Sequence, residues 1–159
     1  MKPFIAVIGS RNSGKSTIIR SLTGAKFGQF RGTIQDMATT RTIEVIGSSP
    51  QEKGLSLTDL RAVLKKAASN ASCNGVVCAL QPTFPSKRLS MEQVLQEAAS
   101  HGLKVYAYIL DPEYAGSTGN AGPTAVRVKI AGFRSRILDA RRFSQINAAT
   151  ISRHTKIAA

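Results

Sequence analysis

The sequence has no tryptophan, two cysteines and two histidines. Cys73 and Cys78 form neither a metal-binding nor a redox spacing, and His101 and His154 stand alone. A zinc site is therefore not expected, and both thiols read as small buried apolar groups. Acid is scarce as well: 9 Asp plus Glu face 22 Lys plus Arg, a formal net charge of +13. No apolar run approaches a membrane span. The opening Met1-Lys2-Pro3-Phe4-Ile5-Ala6-Val7-Ile8-Gly9 carries too short an apolar stretch for a signal peptide, and a cytoplasmic location is expected. No internal repeat or coiled-coil heptad is visible.

What is present is enough for one packed domain: 159 residues, 42% of them hydrophobic. Residues 4–8 form an apolar run ending at Gly9, which predicts a buried strand. Residues 15–23 carry Ile18, Ile19 and Leu22 on one side and stop at Gly24, a helix with a glycine terminator. Residues 28–40 are polar and rich in Gly and Thr, a loop with room for a short edge strand at 29–34. Residues 42–46 predict a second strand. Ser56 and Ser90 each open a capping pattern, followed by Leu60 and Leu64, and by Met91, Val94 and Leu95, at helical spacing. Asn74-Gly75 reads as a turn before a strand at 76–80, and 104–110 is another strand. Residues 115–123 read as a loop, 125–130 as a last strand, and 133–149 as a basic helix. Strands alternating with helices predict an α/β, three-layer arrangement: an open, mostly parallel sheet with helices on both faces. Residues 1–131 would form its body, with a basic C-terminal helix or tail over 132–159.

Gly9-Ser10-Arg11-Asn12-Ser13-Gly14-Lys15-Ser16 matches G-x-x-x-x-G-K-[ST] in full, between a predicted strand and a predicted helix, which makes the expected fold a P-loop NTPase fold and residues 1–131 a P-loop nucleotide-binding domain. Glycines let the backbone wrap an anion with its N–H groups pointing inward, and the next helix adds its positive end. Lys15 is expected to reach the β- and γ-phosphates, Ser16 to ligate Mg²⁺, and Thr17 to contact the α-phosphate.

Further along, Gly9 to Thr17, then Leu22-Thr23-Gly24, Ala38-Thr39-Thr40-Arg41 and Ile43-Glu44-Val45-Ile46, resemble the opening of the small bacterial GTPases of ribosome assembly and tRNA modification. The resemblance implies that Thr40, or else Thr39, closes on Mg²⁺ and the γ-phosphate as a switch. It also implies an Asp-x-x-Gly after the switch strand and an Asn-Lys-x-Asp that reads guanine. This chain has Ile46-Gly47-Ser48-Ser49-Pro50 and Leu110-Asp111-Pro112-Glu113 in those places. The alternative, an apolar strand ending in Asp as in P-loop ATPases, is not met by 76–80, which run into Gln81-Pro82. Asp111 remains a candidate to touch the base. Glu52, Asp36 and Asp111 are candidates for the missing acid, Gln81 or Gln51 for holding a water, and Arg127, Arg134 or Arg136 for a charge-stabilising finger.

The composition and motifs support three functions. The first is Mg²⁺-dependent binding of GTP or ATP with weak hydrolysis and a switch, with Lys15 and Thr40 as its catalytic groups; if the protein is an enzyme, it is an NTP hydrolase. The second is a degenerate module that binds nucleotide without hydrolysing it and docks on nucleic acid or a protein complex. The third is a small phosphotransferase with a basic lid. Residues 124–159 hold eight bases and one acid, Asp139, a segment suited to a polyanionic partner. Its aromatics, Phe133 and Phe143, give base stacking little support.

Overall fold

A computed structural model describes residues 1–10, 13–36, 38–50, 54–82, 89–111 and 121–157. In chain order the elements are β1 (Pro3–Ile8), α1 (Lys15–Thr23), β2 (Arg31–Gln35), β3 (Thr42–Ile46), α2 (Leu57–Ser69), β4 (Cys73–Leu80), α3 (Met91–Ser100), β5 (Lys104–Asp111), α4 (Ala121–Ile130), β6 (Ser135–Asp139) and α5 (Ser144–Thr155). The strands form one six-stranded sheet in the order β2-β3-β4-β1-β5-β6. All neighbours run parallel except β2 and β3, which form an antiparallel hairpin at one edge. This is the expected three-layer α/β arrangement.

The layers follow from the alternation within β1. Phe4, Ala6 and Ile8 face a core shared with α2, α3 and α4. Ile5 and Val7 face a second core built with α1 and α5, through Ile18, Ile19, Leu22, Ala148 and Ile151. Residues 4 to 8 are fully buried, as a strand covered on both faces requires. The chain leaves β1 on one face of the sheet and leaves β3, β4 and β5 on the other. The sheet's switch point therefore lies at the carboxyl end of β1, where open α/β sheets bind ligands.

Helix ends follow the local signals. Gly24 caps α1 in the left-handed region (φ 78°). Ser90 and Gln93 complete a reciprocal capping box on α3, and Ser56 accepts the Asp59 N–H at the start of α2.

Three expectations are corrected. Residues 125–130 lie in a helix, α4, whose buried face is Ala121, Thr124 and Val128 at helical spacing. The alternation of Val126, Val128 and Ile130 misleads because Val126 and Ile130 are 57% and 81% exposed. The predicted helix over 133–149 is instead β6 followed by α5, since Ser135–Asp139 pairs with Ala107 to Asp111 of β5. That pairing is long-range and leaves no periodic trace in the sequence. Asn74 and Gly75 lie inside β4, with Gly75 at φ 152°, beside a shift in register at Thr42/Ile43.

A Cβ on Gly75 would collide with the backbone oxygen of Pro3 in the neighbouring strand. Gly75→Ala is expected to cost about 2 kcal/mol or more in urea unfolding, from overlap with a backbone that cannot yield and from positive-φ strain. Gly122→Ala, where nothing lies within 4 Å of the added methyl, is expected to stay within about 0.5 kcal/mol of the parent.

Candidate phosphate-binding site

The loop after β1 starts at the centre of the sheet. Gly9 donates its N–H to the Leu80 carbonyl of β4 at 3.0 Å, and a Cβ at Gly9 would overlap the Ser13 hydroxyl and touch Leu110 of β5. Glycine is required there because the loop folds back on its own first residue. The Ser13 N–H closes a turn on the Ser10 carbonyl at 3.2 Å, and Gly14 enters the helix through the left-handed region (φ 96°). No side chain caps α1, and its first turn contains no acid. Its first N–H groups thus present a positive end toward the loop, uncompensated by any carboxylate in that turn.

Lys15 is 5% exposed, and its ammonium donates to the carbonyls of Gly9 (2.9 Å) and Ser10 (2.6 Å) inside the loop. The Ser13 hydroxyl is buried and has no hydrogen-bond partner among the described residues. A buried hydroxyl without a partner costs about 1–3 kcal/mol. A loop that bears this cost beside a buried ammonium and a helix N-terminus is built to receive an anion. Ser16 is half-buried and Thr17 exposed on the first turn of α1. Arg11 and Asn12 lie outside the described residues.

Two glycines without a motif complete the surroundings. A Cβ at Gly28 would come within 2.8 Å of the Ser16 Cβ. One at Gly47, just past β3, would meet the carbonyls of Phe30 (2.6 Å) and Gly28 (2.8 Å). The segment between α1 and β2 is thereby clamped between Ser16 and the end of β3, and the Gly47 N–H bonds the Phe30 carbonyl at 2.7 Å. Sequence reasoning puts Gly28 in a loop and misses this contact; an isolated glycine carries no such signal.

The switch expectation is corrected. Asp36 and residues 38–41 lie in the connection between β2 and β3 of the hairpin, with Asp36 N–H to the Arg41 carbonyl (2.8 Å) and Thr40 N–H to the Asp36 carbonyl (2.8 Å). Thr42 is level with Cys73, whereas Gly9 bonds Leu80 at the far end of β4. At 3.3 Å per residue, Thr40 and Thr39 stand more than about 20 Å from the phosphate loop. Thr40 has φ 60° and its hydroxyl bonds the Thr39 carbonyl. Asp36 goes with them. Its carboxylate accepts from Ala38 N–H and the Thr39 hydroxyl, and these bonds hold its pKa below the ordinary carboxylate value. The antiparallel hairpin reverses the chain and carries the Thr-Thr-Arg triplet to the wrong edge.

Other candidates do reach the right edge. Gln81 follows β4 beside Gly9, and Asp111 ends β5 on the other side of β1. Asp111 borders a cavity of about 510 Å³ that also takes in Asp139, Arg141 and Asn147. Asp139 is ion-paired with Arg141 at 3.1 Å, and hydrogen bonds from Arg141 lower its carboxyl pKa. Arg127 pairs with Glu92 at 2.6 Å and donates to the Pro82 carbonyl, so it ties α4 to α3 and to the end of β4. Arg134 and Arg136 are exposed on and beside β6. Gln51 and Glu52 lie outside the described residues. Among the described residues no group of three or more His, Cys, Asp or Glu is placed to hold a metal, and no helix is long and apolar enough to cross a membrane.

The sequence profile of a family described as 50S ribosome-binding GTPase matches residues 4–113, from β1 to just past β5. The chain belongs to that family. It is accordingly a nucleotide-binding domain of the GTPase kind, resembling the small bacterial GTPases. Among solved structures, a probable GTP-binding protein, engB, aligns at 13% identity over 97% of this chain and 98% of its own, with a TM-score of 0.56, a likeness of fold. The FeoB G-domain from Methanococcus jannaschii aligns at 20% identity over 98% and 99% of the two chains, with a TM-score of 0.49. No curated protein matches the sequence.

Ser13→Ala removes a hydroxyl that has no hydrogen-bond partner among the described residues. Unfolding in urea without nucleotide is expected to show unchanged stability or a gain of up to about 1 kcal/mol. A loss above about 2 kcal/mol would make the hydroxyl structural.

Proposed function

We propose that this GTPase-family domain binds a nucleoside triphosphate, GTP in preference to ATP, with Mg²⁺ on the loop Gly9 to Thr17, and hydrolyses it slowly at best. The observation that carries the reading is the loop itself: a buried ammonium, an unpartnered buried hydroxyl and an uncapped helix N-terminus converge on one turn of backbone. In this reading Ser10, Ser13 and Gly14 with Arg11 and Asn12 surround the phosphates. Lys15 neutralises the β- and γ-oxygens, and Thr17 meets the α-phosphate. Ser16 is the side chain that would hold Mg²⁺, which would supply positive charge to the phosphates. Asp111 stands on the side where the base would lie.

Slow turnover follows from what surrounds the loop. The strand β3 ends in Ile46-Gly47-Ser48-Ser49, with no carboxylate to hold a water on the metal. Gln81 and Asp111 are the described side chains with suitable chemistry at that edge, and Gln81 is the better placed to orient an attacking water. The same missing carboxylate favours the second reading, a nucleotide-binding module without hydrolysis. The segment that would report the γ-phosphate is 24–30, because Gly28 presses on Ser16. In either reading the positive charge of the chain suits a polyanionic partner, and the location is cytoplasmic.

Calorimetric titration with GTP, ATP and their diphosphates, with and without Mg²⁺, tests the binding. Lys15→Met retains the buried stem and removes the charge, and it is expected to lower triphosphate affinity roughly a hundredfold. Unchanged affinity would refute the site. Ser16→Ala is expected to weaken Mg²⁺-dependent binding more than metal-free binding; equal losses would remove Ser16 from the metal.

A further inference from the structure

The outer edge of the sheet carries a second recessed surface, away from the phosphate loop. Strand β6 begins to pair with β5 only at Ala107↔Ser135, so Lys104, Val105 and Tyr106 run on past it. The turn after α4, with Gly132 at φ 98°, brings Phe133 and Arg134 to the end of that gap. On the α5 side, Lys104, Tyr106 and Tyr108 follow one another along one face of β5, and Arg136 of β6 and His154 of α5 border the same cavity, of about 600 Å³. Lys104 Nζ lies 5.2 Å from the centre of the Tyr106 ring, and Tyr108 Oη is 3.4 Å from His154 Nδ1. Among the described residues the lining holds three fixed cations and two tyrosines, and no acidic side chain. In a chain where Glu44, Glu92, Glu97 and Asp139 are each engaged by a base, this groove keeps its positive charge. Arg136 also borders the neighbouring cavity along β6, where Asp111 and Asp139 stand with Arg141 and Arg142, so the acid-poor groove ends at Arg136.

We propose that this groove binds single-stranded nucleic acid, with Lys104, Arg134 and Arg136 on phosphates and a base stacked on Tyr106. Cations without acids suit a polyanion, and Tyr106, half-buried while Tyr108 is buried in the core, offers one ring to an unpaired base of any sequence once Lys104 turns from it to a phosphate. A duplex presents its bases already stacked and its phosphates on a wide rigid cylinder, which does not enter a gap between a strand end and a helix. An acidic peptide satisfies the cations but gives the Tyr106 ring nothing to stack on. The assignment does not depend on the nucleotide reading, because no residue of the groove belongs to the phosphate loop.

The experiment uses the full chain and a fluorescein-labelled 12-nucleotide single-stranded RNA of mixed sequence, read by anisotropy. A matched RNA duplex and polyglutamate serve as competitors. The single strand is expected to bind at least tenfold more tightly than either competitor, with a log–log salt slope near −2 for three phosphate contacts. Arg134→Gln with Arg136→Gln is expected to weaken binding roughly tenfold and bring the slope near −0.7. Tyr106→Leu is expected to lose at least about fivefold, and Tyr106→Phe to keep the parent's affinity. Lys65→Gln with Arg20→Gln, two cations elsewhere on the surface, is expected to change little. The parent offers a readout free of mutation: there is no tryptophan and two of its three tyrosines line the groove, so unlabelled RNA is expected to quench its tyrosine fluorescence. Equal binding of polyglutamate or duplex, an unaffected Tyr106→Leu, a control pair as damaging as the groove pair, or unquenched tyrosine would each overturn the assignment.

Discussion

The burial of β1 on both faces is the constraint on which the phosphate edge depends. Phe4 to Ile8 are fully buried between two cores, and the Gly9 N–H is pinned to Leu80 of β4. A strand so held cannot slide or tilt without opening both cores. The loop that leaves it starts from a fixed point, and α1, packed on the second core by Ile18, Ile19 and Leu22, fixes where it ends. Between these two anchors Gly9 and Gly14 supply the room and the φ that other residues lack. The Ser13 hydroxyl, without a partner among the described residues, is tolerated because the scaffold around it is rigid.

The parts legible in the sequence are those written by neighbours in the chain. The phosphate motif, the span of α1 with its glycine cap, the range of β3 and the capping box of α3 depend on contacts within a few residues, and they are found where the sequence puts them. The errors share one cause. Distance along the chain from the phosphate loop suggests a switch at Thr39 and Thr40, but the β2–β3 hairpin reverses direction and sets them at the opposite edge. The segment 135–139 has no apolar alternation that separates strand from helix, and it becomes a strand because β5 has an open edge. Gly75 looks like a turn residue and serves instead where β4 passes the Pro3 backbone. Position in a sheet is decided by pairing across tens of residues, which a local pattern does not encode.

The order of strands also bears on catalysis. Since β4 lies between β3 and β1, the groups flanking the phosphate loop come from the ends of β4 and β5, namely Gln81 and Asp111, while the end of β3 lies one strand away. Gly47 at that end acts through its lack of a side chain, which lets the backbone of residues 28–30 lie against it and in turn sets Gly28 on Ser16. The contact between the segment before β2 and the phosphate loop is therefore made by backbone and glycine. Contact of this kind brings no carboxylate to the loop.

Charge and aromatic groups are distributed by the same topology. The acids that form ion pairs do so within the helical layers or at the hairpin edge: Glu97 with Arg61 between α2 and α3, Glu92 with Arg127 between α3 and α4, Glu44 with Lys66 between β3 and α2. At the outer edge, Asp139 of β6 is paired with Arg141 next to it. Read linearly, residues 124–159 are basic enough for a polyanionic partner but poor in the aromatics that base stacking needs. The fold changes that reading by laying β5, with Tyr106 and Tyr108, beside β6. The cations come from one part of the chain and the rings from another, and only the β5–β6 pairing that starts at Ala107↔Ser135 makes them one surface.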